Sequence, residues 1–129
     1  MMNKKGFTLI ELLVVISIIG VLALMGLRVY GDQQEKVKNA LVKANVGTVQ
    51  TLIQTELADT NITLNEAVNI AINAGLHNPF NGSAMNTSEW FPVKASVPGA
   101  IQITLSGGVF YIQGYGANSL FPYILTARR

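Results

Sequence analysis

One carboxylate stands where carboxylates are costly. From Phe7 to Leu27 the chain runs 21 residues with a single charged side chain, Glu11. On insertion scales such a group costs about 2.5–3.5 kcal/mol at the centre of a membrane helix and less near its end, so an acid kept there is a functional candidate. Elsewhere the means for chemistry are sparse. His77 is the only histidine, and beside Asn78 and Pro79 it reads as a surface loop residue. Cysteine is absent, which excludes disulfides, thiolate metal sites and a cysteine nucleophile. No Ser-His-acid set and no glycine-rich phosphate loop can be assembled. Beyond Asp59 the acidic side chains are Glu66 and Glu89, whereas calcium takes about six to eight oxygens. No catalytic residue, metal or cofactor is expected. The sequons Asn61-Ile62-Thr63, Asn81-Gly82-Ser83 and Asn86-Thr87-Ser88 matter only where N-glycosylation occurs, and an Asn-rich chain produces such triplets by chance.

The element that must carry Glu11 is long and apolar. At about 1.5 Å per residue, Phe7–Leu27 as a helix would be roughly 31 Å long, enough to cross a bilayer's hydrocarbon core. A helix buried in a small domain is rarely apolar all round over such a length. The run also explains why 50% of residues are hydrophobic and 12% charged, against about 25% charged in ordinary soluble domains. Lys4 and Lys5 precede it and predict a cytoplasmic N-terminus, and Arg28 follows it and predicts the outer membrane boundary. An ordinary secretory signal has a shorter apolar region and a small-residue cleavage site after it. Neither feature is present. By physics alone this is a single-pass protein with an external domain. The net charge of +2 is too small for a nucleic-acid-binding surface, and Lys94 with Arg128-Arg129 adds only a weak basic patch.

The junction Lys4-Lys5-Gly6-Phe7-Thr8-Leu9-Ile10-Glu11-Leu12-Leu13-Val14-Val15-Ile16 resembles the prepilin signal of type IV pilins and pseudopilins, with Gly, Phe, Thr and Glu in register. The resemblance implies cleavage by a prepilin peptidase between Gly6 and Phe7, N-methylation of Phe7, and retention of the apolar segment. It also implies that Glu11, with Thr8 beside it, makes an assembly contact to the amino terminus of a neighbouring subunit. The new amino group of Phe7 and the Glu11 carboxylate lie one turn apart on one helix face, so an internal pair is the alternative. Losing residues 1–6 removes Lys4 and Lys5 and leaves 7 basic against 7 acidic side chains, a neutrality suited to close packing of many copies. Many pilins carry a proline about one turn beyond the glycine-containing part of this run. Arg28 stands there instead, so any unwinding must rely on Gly20 and Gly26.

The helical pattern continues past Leu27 without proline, predicting one helix over about residues 7–58. Its second half is amphipathic, with a stripe of Tyr30, Val37, Leu41, Ala44, Val49, Leu52, Ile53 and Leu57 expected to pack on a globular domain. Asp59-Thr60-Asn61 ends it. Thr63-Leu64-Asn65-Glu66 fits a capping box opening a short helix that Gly75 closes at C′. Residues 77–83 read as a loop. From Ala100 the period changes to two. Ala100–Leu105 and Val109–Gln113 read as a hairpin across Ser106-Gly107-Gly108, with a third strand at about 120–126 and a short fourth at 91–95. Pro122 confines the third to a sheet edge or a bulge.

The expected fold is α+β and pilin-like, a long N-terminal helix against an antiparallel meander of three to four strands. It divides into a leader (1–6), a transmembrane or filament-core segment (7–28) and a globular domain (29–129). The expected function is structural: a subunit of a type IV pilus. It is a single-pass precursor in the cytoplasmic membrane in contact with lipid, and then part of an extracellular homopolymer. Its partners would be copies of itself, the prepilin peptidase, the assembly platform and minor pilins. A pseudopilin of a secretion or DNA-uptake apparatus is the rival within the same superfamily, and a monomeric membrane-anchored binding module the rival outside it.

Overall fold

The computed structural model describes residues 6–129, so the two boundary lysines, Lys4 and Lys5, lie outside the described residues. Two compact units divide the chain after Gln34. Helix α1 (Leu9–Asp59) supplies all the regular structure of the first. No proline lies within it, and it is unbroken at Gly20, Gly26 and Arg28. Ser17, a polar residue of the apolar run, donates its hydroxyl to the Leu13 carbonyl at 2.7 Å and so carries its own partner.

In the second unit, Glu35–Arg129, Val42, Val46, Val49, Ile53 and Leu57 are the buried residues of α1. Their spacings of four, three, four and four line one helix face. The expected stripe is therefore corrected: Tyr30, Val37, Leu41, Ala44 and Leu52 are exposed, and only Val49, Ile53 and Leu57 of that set enter the core. Two overlapping stripes of similar hydropathy run along this half of the helix. Only the one with three consecutive valines at its head meets the sheet.

Helix α2 (Leu64–Ile72) opens on the expected capping box: the Thr63 hydroxyl accepts from the Glu66 N–H, and the Thr63 N–H donates to the Glu66 carboxylate. Asn73 is the C-cap, so Gly75, at φ +73°, turns the chain one residue later than expected. Strands β1 (Ile101–Ser106) and β2 (Val109–Gly114) pair antiparallel with Ser106 opposite Val109, leaving Gly107 and Gly108 as a two-residue turn. Both have positive φ, 58° and 77°, as a type I′ turn demands. Strand β3 (Leu125–Ala127) joins β2 at the sheet edge. It is shorter than expected, and Pro122 precedes it in irregular chain. Gln50 and Gln54 of α1 cover its open backbone, donating to the Thr126 and Arg128 carbonyls.

The fourth strand does not form. Ser88–Trp90 is a 3-10 turn, and the segment after it reaches β1 through one backbone bond, Ile103 N–H to the Pro92 carbonyl at 3.1 Å. Pro92 and Pro98 lack the donors a ladder needs. The inward faces of β1 and β2 present Ile101, Ile103, Phe110 and Ile112 to the core cluster that holds the buried α1 residues. Gly114 permits that approach: a Cβ there would stand 2.9 Å from both Val42 Cγ1 and Val46 Cγ2. Asn78, the buried polar residue of the loop region, donates to the Pro98 carbonyl and accepts from the Phe80 N–H. Gly99, at φ +87°, lies against it, and a Cβ there would overlap the Asn78 side chain.

Candidate functional site

The residues singled out for processing and assembly gather at the start of α1. Gly6, Phe7, Thr8 and Glu11 line one open recess. Thr8 is the helix's N-cap: its hydroxyl accepts from the Glu11 N–H and its carbonyl from the Leu12 N–H, both at 3.1 Å. That role was missed in the sequence although the signal was present, since Thr8-Leu9-Ile10-Glu11 has the Thr-x-x-Glu spacing of a capping box. Only half of the box is formed. Among the described residues, no hydrogen bond reaches the Glu11 carboxylate.

Gly6 and Phe7 precede the first helical residue, and Phe7 is 85% exposed. The Gly6–Phe7 bond therefore lies in accessible, non-helical backbone, and a Cβ at Gly6 would meet nothing within 4 Å. Cutting that bond would free an ammonium one turn before Glu11. The apolar side chains behind it, from Leu9 through Leu27, are all exposed. α1 is long and apolar enough to cross a membrane, and its most apolar window has 0% of its residues buried within the chain. This distinguishes it from the core helix of a globular domain, most of which is buried. Gly20, Gly26 and Arg28 are helical and exposed, with no atoms within 4 Å of a Cβ placed on either glycine.

His77 is exposed, and among the described residues no three His, Cys, Asp or Glu side chains are placed to hold a metal ion.

An exposed apolar helix of membrane length stands behind a Gly-Phe junction and is followed by an α+β unit with an antiparallel sheet, the arrangement that the resemblance to prepilins implies. Residues 1–27 match the family model of the prokaryotic N-terminal methylation motif. The chain is similar to the fimbrial protein EcpB of Eikenella corrodens, 43% identical over 58 residues that make up 45% of this chain and 36% of that protein. It is also similar to the type IV major fimbrial protein FimA of Dichelobacter nodosus, 39% identical over 56 residues, or 43% of this chain and 36% of that one. The chain thus spans little more than a third of the length of these curated relatives. No solved structure matches it at a significant level.

Proposed function

We propose that this chain is a structural subunit of a type IV pilus. In this reading a prepilin peptidase cuts the precursor between Gly6 and Phe7, and the new amino terminus is methylated. The retained helix holds the subunit in the cytoplasmic membrane, N-terminus inside, until it is drawn into a filament. Copies of the same chain are its main partners, with membrane lipid before assembly and the assembly platform and minor pilins during it. The observation that carries the reading is the uncovered apolar half of α1, with one carboxylate in its first turn and the Gly6–Phe7 bond accessible ahead of it. Lipid can cover that surface in the precursor and neighbouring helices can cover it in a polymer. A monomeric anchor would use the apolar surface and leave Glu11 only the internal pair with its own amino terminus.

The pilus reading is supported by the likeness to relatives named as fimbrial proteins, and a secretion or DNA-uptake pseudopilus is the alternative. The test is electron microscopy of sheared surface material, with intact-mass analysis of its main subunit. Long surface filaments built of a chain beginning at methylated Phe7 are expected. Short filaments confined to the envelope would support the pseudopilus, and a subunit retaining residues 1–6 would refute the processing step.

A further inference from the structure

We propose that Asn61 is an acceptor for an N-linked saccharide, placed for it by the linker between α1 and α2. That placement rests on the geometry of the linker, and its use in the cell rests on the export that the pilus reading requires.

The linker runs Thr60-Asn61-Ile62-Thr63, directly after Asp59, the last residue of α1. Ile62 packs against the hydrophobic core, whereas Asn61 and Thr63 are exposed. Thr63 has extended backbone, φ −83° and ψ 168°. Ile62 therefore pins the linker to the core while the residues on either side of it, Asn61 and Thr63, stay exposed, the two residues of an Asn-x-Thr acceptor. Among the described residues, the Asn61 amide makes no hydrogen bond. The Thr63 oxygen accepts from the Glu66 N–H, which leaves its own O–H free to donate. Asp59, two places before the acceptor and exposed, adds a carboxylate that a cationic group of a transferase can hold.

The other two sequons lack this combination. In Asn81-Gly82-Ser83 the asparagine oxygen accepts from the Ser83 N–H, Gly82 has φ +73°, and the Gly82 N–H donates to the Asn78 carbonyl, so the triplet is locked in a turn. In Asn86-Thr87-Ser88 the serine begins the 3-10 turn Ser88–Trp90, and Ala84 occupies the place that Asp59 has relative to Asn61.

The transfer balances without a redox partner. The donor is a polyprenyl-diphosphate-linked oligosaccharide. A bond forms from Asn61 Nδ2 to the anomeric carbon, the bond from that carbon to the diphosphate breaks, and the diphosphate leaves with the electron pair. The amide proton goes to solvent.

The experiment mixes the full chain in detergent with such a donor of known mass and a single-subunit bacterial oligosaccharyltransferase of the kind that reads an acidic residue before the acceptor. Peptides are then mapped by mass spectrometry. One saccharide on the peptide containing Asn61 is expected. Asn61→Gln should abolish it with the unfolding temperature unchanged, and Asp59→Asn should slow it about tenfold, the scale of one lost charge-assisted contact. No transfer, or transfer only at Asn81 or Asn86, would overturn the proposal. The reaction needs neither export nor assembly, so its outcome is independent of the pilus reading. A chain modified in this reaction but found bare and intracellular in its own cells would count against that reading alone.

Discussion

Glu11→Val separates anchoring from assembly, because the two respond to the charge with opposite sign. In the precursor, replacing the carboxylate with an isopropyl group favours the membrane, by less than the 2.5–3.5 kcal/mol that applies at a helix centre, since Glu11 lies in the first turn. Its effect on the helix itself is small: loss of one acidic group from the first turn costs about 0.3–1 kcal/mol, and the Thr8 cap uses the Glu11 backbone rather than its side chain. The proposed assembly contact would be larger. A carboxylate and an ammonium about 4 Å apart attract by about 4 kcal/mol at an effective dielectric constant of 20. Truncating one member of such a pair at an interface costs about 2–5 kcal/mol, or roughly thirtyfold to several thousandfold in association. The assay compares the subunit in membrane and sheared-filament fractions, with filaments counted by electron microscopy. Undiminished membrane protein with few or no filaments is the expected result. Normal filament numbers would refute the intersubunit contact and leave Glu11 as an internal partner of its own amino terminus. Glu11→Asp, which keeps the charge but shortens its reach, should fall between wild type and Glu11→Val.

Three further perturbations probe the site and its scaffold. Gly6→Val should block cleavage, read as an intact mass that retains residues 1–6. Thr8→Ala should cost about 1 kcal/mol of local helix stability, read as faster hydrogen exchange at the Glu11 amide in detergent, with the unfolding of residues 35–129 unchanged. Gly114→Ala puts a methyl 2.9 Å from the side chains of Val42 and Val46. Overpacking of that kind costs about 1–3 kcal/mol, so the unfolding temperature should fall, and an unchanged value would mean that β2 lies farther from α1 than described.

The parts of the fold that local chemistry dictates were legible in the sequence. The capping box at Thr63, the two-glycine turn at Gly107-Gly108 and the proline-free length of α1 each follow from a few adjacent residues and formed close to where expected. The core face of α1 did not follow in this way. Val42 and Val46 are no more apolar than Leu41 and Leu52, and only the sheet's position decides which row is covered. The strand expected at 91–95 failed for a related reason, since Pro92 interrupts it and a single backbone bond, from the Ile103 N–H to the Pro92 carbonyl, joins the segment to β1. At the candidate site, Gly6, Phe7 and Glu11 stood out because an acid in an apolar run demands a reason. Thr8 hid as a cap because its spacing to Glu11 serves both an assembly motif and a helix start.

The absence of a proline near Arg28 shifts where α1 can open. The helix is continuous through that point, and the weakest positions before it are Gly20 and Gly26, each about 1 kcal/mol less favourable than alanine in a helix interior. Proline would cost about 3 kcal/mol and remove a hydrogen bond outright. In lipid, an unpaired backbone group costs several kcal/mol, more than either glycine gives up, so a single glycine leaves the helix closed there. Opening becomes affordable only where something else satisfies the freed carbonyls and amides, and among the described residues nothing beyond the adjoining helix comes within 4 Å of a Cβ placed at either glycine. Among the described residues, then, that stretch is held by the helix's own hydrogen bonds. If the proposed filament forms, melting of residues 20–26 would have to come from contacts with neighbouring subunits, and would be expected in the filament and not in the precursor.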